Sequence, residues 1–227
     1  MNHFLHGVAR AMAESFTLPD PIMEIGSYQV EGQESIVNLR QLFPNRPYIG
    51  VDFRAGPGVD CVASVEDLPQ PDASIGTIFA FSTFEHVERF WVGFEEVRRV
   101  LRPDGVFLVA CPFYFHQHAF PSDYWRFTPE ALEVLLSRYY PNRVLGSHGP
   151  RNRPLNVWSA AFRSRAVSPS AAQFAHYRDL VSKYAKEPIS LGKRIRFQIG
   201  RWLCGSRPFA PYLERDQFVT ELRQAAG

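Results

Sequence analysis

The chain has 227 residues, of which 45% are hydrophobic and 21% charged, and its formal net charge at pH 7 is +2. A chain of this size can bury a full core, so we expect a core domain over residues 1–165 and a helical extension over 166–227. We expect neither a signal peptide nor a membrane span, because no apolar run reaches about 18 residues. Three widely spaced cysteines without Cys-x-x-Cys spacing favour reduced thiols and a cytoplasmic location.

The charge is unevenly distributed. Residues 1–150 carry 11 Arg, no Lys and 18 acidic residues, a net charge of −7, whereas residues 151–227 carry 14 basic and 5 acidic residues, a net charge of +9. This predicts a basic appendage on an acidic core, which either complements the core or binds a partner. The chain as a whole is not strongly basic and contains no recognised nucleic-acid module, so we expect no nucleic-acid partner.

Predicted strands and helices alternate along the chain. After a leading helix over residues 3–15, the order predicts a doubly wound α/β sheet with a helical C-terminal extension. Apolar runs predict strands at 21–26, 48–52, 59–64, 75–81, 106–111, 144–148 and 157–163. Helical spacing predicts further helices at 33–43, 88–101, 129–139, 168–186 and 190–204.

The first two predicted strands end in residues suited to binding a nucleoside. Gly26 follows the first strand and allows a tight backbone turn, and Asp52 ends the second strand, where it can accept both ribose hydroxyls. Tyr28 stands where a dinucleotide-binding loop would have its second glycine. A nucleoside without phosphate does not need that glycine, so the loop favours S-adenosylmethionine over NAD.

Six motifs over about residues 20–163 together resemble the class I S-adenosylmethionine-dependent methyltransferases. The similarity is to the branch with Leu-Glu-His-Val and Arg-Val-Leu-Lys-Pro-Gly-Gly motifs. It implies a Rossmann-like sheet of seven strands with the last antiparallel, and S-adenosyl-L-methionine as cofactor. The motifs are Glu24-Ile-Gly-Ser, Tyr48-Ile-Gly-Val-Asp, Glu66-Asp-Leu-Pro, Phe84-Glu-His-Val, Arg99-Val-Leu-Arg-Pro-Asp-Gly and Asp123-Tyr-Trp-Arg-Phe-Thr-Pro.

The resemblance implies a set of cofactor-binding residues. Glu24, Gly26 and Ser27 would lie beside the methionine moiety, and Asp52 and Phe53 at the ribose and adenine. Ser64 and Val65 would lie at the adenine amino group, and Phe81, Ser82 and Thr83 beneath the methionine and sulfonium. The family often has Asp at the adenine position, so here its role is either missing or passes to Glu66 or Asp67. Phe53 and Phe81 have ordinary core packing as an alternative. For Glu85 and His86 the sequence favours helix capping or packing over catalysis.

The loop over residues 112–126 follows the fifth strand and is expected to hold the acceptor. His118 is the favoured general base, with His116 and Asp123 as further catalytic candidates. Substrate-binding candidates are Tyr114, Tyr124, Trp125 and Arg126. Two alternatives stay open: a structural lid in which Asp123 pairs with Arg126, and a metal bound by the two histidines and Asp123. We expect no metal, because the loop offers no clear third fixed ligand.

The predicted function is methylation of a small molecule, with oxygen in a saccharide or secondary metabolite suggested by the breadth of the family alone. A catalytically degenerate scaffold or binding module is one alternative. The other is a peripheral membrane enzyme acting on a lipid-linked acceptor. It rests on residues 190–204, where Leu191, Ile195, Ile199 and Trp202 recur at helical spacing among basic residues.

Overall fold

A computed structural model describes residues 1–118, 121–186, 189–205, 213 and 217–225. Within these residues one eight-stranded sheet runs in the order β3-β2-β1-β4-β5-β7-β6-β8. The strands are β1 Ile22–Ile25, β2 Tyr48–Asp52, β3 Cys61–Val62, β4 Ile75–Phe81, β5 Leu101–Pro112, β6 Asn142–His148, β7 Asn156–Phe162 and β8 Phe218–Arg223.

The first five strands of the sheet are parallel, and β7 runs antiparallel between β5 and β6. This confirms the doubly wound α/β class and the antiparallel last strand of the core. All seven residues of β4 are buried, as expected of a central parallel strand covered on both faces. The carboxyl ends of β1, β2 and β4 therefore lie side by side at one edge of the sheet.

Six α-helices accompany the sheet within the described residues. They are α1 His3–Ser15, α2 Glu34–Val37, α3 Phe90–Val100, α4 Pro129–Ser137, α5 Ala171–Tyr184 and α6 Leu191–Cys204. Single 3₁₀ turns cover Leu39–Leu42 and Phe84–His86. One buried cluster joins α1 and α5 to the sheet, and a second joins α3 and α4 to it.

Helix α5 packs closely on α1 although it lies in the predicted extension. A Cβ on Gly7 would lie 2.6 Å from the backbone carbonyl carbon of Tyr184, so the helices meet where only glycine fits. Tyr177 of α5 is fully buried and its hydroxyl accepts a 2.8 Å hydrogen bond from the Trp158 indole of β7. The boundary at residues 165 and 166 stays a prediction.

The structure differs from the sequence prediction in three segments. The helix predicted over residues 33–43 is split, because Asn38 adopts a non-helical ψ of 85° between α2 and the following 3₁₀ turn. The predicted third strand, 59–64, shortens to two residues that pair only with the end of β2. Strand β8 was not predicted; it lies within the predicted extension and pairs antiparallel with β6. None of the described helices is both long and apolar enough to cross a bilayer.

Candidate functional site

A cavity of about 440 Å³ opens at the carboxyl ends of β1, β2 and β4. Ten of the residues predicted from the sequence line it: Glu24, Gly26, Asp52, Phe53, Ser64, Val65, Phe81, Ser82, His118 and Tyr124. The other predicted residues, Ser27, His116, Asp123, Tyr114, Trp125 and Arg126, do not line it. Thr83 and Glu66, which the sequence also offered, line it too, as do Tyr28, Arg54 and His86.

The turn after β1 brings the backbone against the end of β4. Gly26 has φ +83°, a left-handed conformation that favours glycine, and a Cβ there would lie 2.4 Å from Thr83 Oγ1. The Thr83 hydroxyl in turn donates a 2.9 Å hydrogen bond to the Ile25 carbonyl. Ser27 is buried behind this turn. The glycine thus lets the chain turn tightly at the floor of the cavity.

The Asp52 carboxylate is held by the backbone on either side of it. Oδ2 accepts a 3.2 Å hydrogen bond from the N–H of Tyr28, and Oδ1 accepts a 3.0 Å bond from the N–H of Arg54. The Arg54 guanidinium lies over the Tyr28 ring, 4.3 Å from its centroid. A carboxylate has about four acceptor sites, so this arrangement fixes the side chain and leaves acceptor capacity for a ligand in the cavity.

Glu24 is a buried acid at the base of the cavity. Its carboxyl accepts a 2.6 Å hydrogen bond from the Tyr48 hydroxyl. Burial raises the pKa of Glu24 to about 7, against the opposing effects of the Tyr48 bond and of Arg40. The group therefore changes charge near neutral pH and responds to a cationic ligand placed beside it.

The segment 121–126 is fastened to the turn that follows β4. The N–H groups of Tyr124 and Trp125 donate to the Glu85 carbonyl at 2.8 and 3.2 Å, and the Trp125 indole donates to the Val87 and Glu88 carbonyls. His86 Nδ1 lies 2.6 Å from the Ser122 carbonyl. Together these bonds hold the segment 121–126 against the turn after β4, at one side of the cavity.

The Asp123 carboxylate accepts hydrogen bonds from two other residues of the loop. This buried carboxylate pairs with both terminal nitrogens of Arg126, at 2.5 and 2.6 Å, and accepts a 2.9 Å bond from the His118 N–H. His118 Nδ1 lies 3.0 Å from Asp123 Oδ2. The bonds from Arg126 are the main reason why the pKa of Asp123 falls well below its usual range. The structure thus contains the Asp–Arg pair of the lid alternative.

His116 and Tyr114 do not line the cavity, although the His116 ring lies edge-on to that of His118 with centroids 6.3 Å apart. His116 is exposed and its ring lies against Phe115, with centroids 4.2 Å apart. Tyr114 is also exposed, and the Arg153 guanidinium lies over its ring at 4.9 Å. Of the two histidines proposed for the proton, His118 alone lines the cavity.

Comparison with known proteins agrees with the geometry. A family model described as a methyltransferase domain matches residues 32–109. Over 80 residues the chain is 34% identical to a probable S-adenosylmethionine-dependent methyltransferase of Mycolicibacterium smegmatis, a match covering 35% of this chain and 26% of that protein. The aligned segment is thus about a quarter of that relative's length.

Two solved structures are similar in fold. One is 1,6-didemethyltoxoflavin-N1-methyltransferase of Burkholderia thailandensis, solved with 1,6-didemethyltoxoflavin and S-adenosylhomocysteine bound, with TM-score 0.52, 18% identity, and 70% of this chain and 78% of that chain covered. The other is YcgJ of Bacillus subtilis, with TM-score 0.51, 16% identity, and 70% and 99% covered. Residues 32–109 thus match a methyltransferase domain, and the fold is similar to that of a solved methyltransferase. The description of the Mycolicibacterium relative names S-adenosylmethionine as its cofactor.

The residues at the cavity fit that cofactor. Glu24, Asp52 and Glu66 offer carboxylates to a ligand that carries a sulfonium and an ammonium group. The Tyr28 N–H is already bonded to Asp52, so the turn provides no glycine-rich cradle for a pyrophosphate. A phosphate-free nucleoside suits this turn.

Several cavity residues escaped sequence reasoning. Tyr28 and Arg54 line the cavity and flank the ribose-binding candidate Asp52. Of the two acids that the sequence offered for the adenine, Glu66 lines the cavity and Asp67 does not. His86 was interpreted as a capping or packing residue, yet its ring also lines the cavity. The signal for His86 was the Phe84-Glu-His-Val motif itself, since two ionisable residues follow a strand end there.

Proposed function

We propose that this chain transfers the methyl group of S-adenosylmethionine to an oxygen of a small-molecule acceptor. The observation that carries the proposal is a single cavity lined both by the strand-end residues Gly26 and Asp52 and by the loop residues His118 and Tyr124. A cofactor site and an acceptor site that share one cavity allow the two reactants to be aligned, which supplies much of the rate of a two-reactant transfer.

Each side of the cavity has its own task in this proposal. Asp52 accepts the ribose hydroxyls, and Glu24 lies near the methionine end. Tyr124, which is 45% exposed, offers an aromatic surface to the acceptor, which could be a saccharide or a secondary metabolite. The Asp123–Arg126 pair and the Trp125 indole position the loop rather than touch the ligand.

When bound, the cofactor supplies a methyl group already activated by the sulfonium. An acceptor oxygen forms the new O–CH₃ bond as the S–CH₃ bond breaks, and the bond's electron pair returns to sulfur, giving the neutral thioether. The hydroxyl proton must leave as the oxygen attacks. We propose that this hydroxyl proton leaves at the side of the cavity that His118 lines.

The test is calorimetric titration with S-adenosylmethionine, S-adenosylhomocysteine and, as a control, NADH. Micromolar binding of the two sulfur nucleosides without NADH binding supports the proposal and justifies a screen of hydroxylated acceptors. Absence of binding to either sulfur nucleoside would contradict it and favour the degenerate scaffold.

A second candidate, a peripheral membrane enzyme with a lipid-linked acceptor, is favoured by helix α6. Its apolar residues are exposed among the described residues, with Trp202 at 84% and Leu191 at 74%. Lys193, Arg194, Arg196 and Arg201 lie on the same helix. Such a helix can insert its apolar side among the lipids of an anionic surface.

Flotation with vesicles tests this second candidate. Binding to vesicles rich in phosphatidylserine but not to pure phosphatidylcholine is expected, with loss of binding in the double variant Ile199→Glu/Trp202→Glu. Val134→Glu is the matched control, because Val134 is 71% exposed on α4 and lies outside the basic helix. Equal flotation of all three proteins would reject a role for α6.

A further inference from the structure

Three side chains with metal-binding atoms meet on the loop side of the cavity. One ligand atom of each of Glu85, His86 and His118 lies within 4.8 Å of those of the other two. The two imidazole rings are nearly perpendicular, with centroids 4.8 Å apart, and His86 Nε2 lies 3.9 Å from Glu85 Oε1. No other group of three or more such residues occurs within the part of the chain that the structure describes.

The side chain of Glu85 gives an independent indication that a ligand binds at this cluster. This side chain is fully buried, and neither carboxylate oxygen accepts a hydrogen bond from the described residues. A buried carboxyl without partners is costly, so natural proteins rarely keep one without a partner that satisfies it. A cation bound between Glu85 and the two histidines would satisfy it directly.

The histidines are oriented as metal ligands commonly are. A carbonyl can only accept, so His86 Nδ1 donates its proton to Ser122 O and the lone pair of the neutral ring is left on Nε2, which faces Glu85. His118 Nδ1 lies 3.0 Å from Asp123 Oδ2 but makes no hydrogen bond within the described residues, so His118 still has a ring nitrogen without a partner.

From this arrangement we propose that Glu85, His86 and His118 bind one divalent transition-metal cation at the acceptor side of the cavity. Two imidazoles with one carboxylate suit Zn²⁺, Mn²⁺, Fe²⁺ or Co²⁺ better than Mg²⁺ or Ca²⁺. The sequence indicated no third fixed ligand within the loop 112–126. Glu85 supplies it from the turn after β4, and the hydrogen bonds from Tyr124 and Trp125 to its carbonyl join the two segments.

The inference rests on the proposed function and refines the part played by His118. As a ligand, His118 acts on the acceptor's hydroxyl through the cation rather than by taking the proton itself. A hydroxyl bound to a divalent cation has a lowered pKa, so its proton leaves to water as the oxygen attacks the methyl group. An acceptor with two neighbouring oxygens would be held best, because both could reach one cation.

Cobalt titration of the full chain tests the site without any acceptor. After removal of metal with EDTA, the wild type is titrated with Co²⁺ by calorimetry and by the visible spectrum of the bound ion. We expect one site per chain, and roughly 10-fold or greater weakening in Glu85→Gln and in His118→Ala. His116→Ala is the matched control, because His116 lies in the same loop but outside the cluster. This variant should bind Co²⁺ with the affinity of the wild type.

Folding and cofactor binding are followed on the same samples. Glu85→Gln should melt no lower than the metal-free wild type, since it replaces a buried carboxylate without partners by a neutral amide. Wild type that binds no Co²⁺, or binds it no more tightly than the Glu85 and His118 variants, would overturn the metal site. If the wild type does not bind S-adenosylhomocysteine, the proposed function is overturned instead.

Discussion

The backbone N–H of Tyr28 donates a 3.2 Å hydrogen bond to Oδ2 of Asp52 across the ends of β1 and β2. The backbone N–H at this position is therefore engaged by a carboxylate and is not free to bind a pyrophosphate. The Tyr28 ring turns towards the 54–58 segment, where a Cβ on Gly56 would lie 2.3 Å from it. The turn after β1 is therefore arranged to bind the Asp52 carboxylate rather than a phosphate.

Replacement of Asp52 by Asn should greatly weaken cofactor binding. The change keeps an oxygen for one backbone N–H but removes the charge that two ribose hydroxyls would contact. Hydrogen bonds to a charged group contribute about 1.5–3 kcal/mol each, so we expect S-adenosylhomocysteine to bind ~100-fold or more weakly in calorimetry. Asp67→Asn is the control, because Asp67 is exposed and does not line the cavity. Unchanged affinity in Asp52→Asn would show that the ribose lies elsewhere.

Glu24 should make stability depend on pH in an unusual direction. Its pKa rises from 4.5 to about 7 on folding because of burial, so the folded state holds a proton that the unfolded state loses. The contribution is complete below pH 4.5 and is lost as pH rises through about 7. It amounts to about 3 kcal/mol, since each pKa unit is about 1.4 kcal/mol. Without ligand, wild type should therefore lose that amount relative to Glu24→Gln over this range, as measured by urea unfolding.

Tyr48→Phe provides the matching control for Glu24. The Tyr48 hydroxyl bond lowers the pKa of Glu24, so its removal should move the loss of stability to higher pH. Asp52 raises the same pKa and Arg40 lowers it, and neither is changed by the substitution. A stability difference between wild type and Glu24→Gln that is flat between pH 4.5 and 7 would contradict the assignment.

Local sequence signals predicted most of the fold. The apolar runs predicted the observed bounds of β2 and β4, and apolar residues at helical spacing predicted those of α1. Strand β8 could not be predicted in this way, because its partner is β6, far earlier in the chain. The split near Asn38 also escaped prediction, because the apolar spacing of 33–43 continues through the residue that leaves the helix.

In the site, too, residues at strand ends could be predicted from the sequence, whereas residues that meet through loop contacts could not. Gly26 and Asp52 were identified because each lies at the end of a strand that the sequence itself defines. The cluster around Glu85 was not identified, since it forms only when the loop 121–126 folds back onto the turn after β4. Contacts between distant segments carry no periodic signal in the sequence.

Gly26→Ala should destabilise the fold through both its backbone and its contact with Thr83. The residue has φ +83°, and the new Cβ would lie 2.4 Å from Thr83 Oγ1. Strain and overpacking together should lower the free energy of unfolding by about 2–4 kcal/mol in urea. Gly32→Ala isolates the backbone part, because Gly32 has φ +78° with nothing within 4 Å of a new Cβ, and should cost about 1–2 kcal/mol. Equal losses would mean that the contact with Thr83 relaxes freely.

Trp125→Phe should separate positioning of the loop from binding of a ligand. The indole N–H donates to the Val87 and Glu88 carbonyls at 3.0 and 3.1 Å, and the side chain does not line the cavity. Phenylalanine keeps the packing against Phe90 but loses these bonds, so we expect about 1 kcal/mol less stability in thermal or urea unfolding. Affinity for S-adenosylhomocysteine should stay the same, because the two backbone bonds to the Glu85 carbonyl remain.

The control for Trp125 is Trp91→Phe. Trp91 packs edge-on against Trp125, with ring centroids 6.3 Å apart, but its indole N–H donates no hydrogen bond within the described residues. Both variants lose an indole from the same aromatic cluster, so the difference in their unfolding free energies reports the hydrogen bonds to residues 87 and 88. If Trp125→Phe instead left stability unchanged and weakened acceptor or cofactor binding, the indole would be a ligand contact and the loop would be held by its backbone bonds alone.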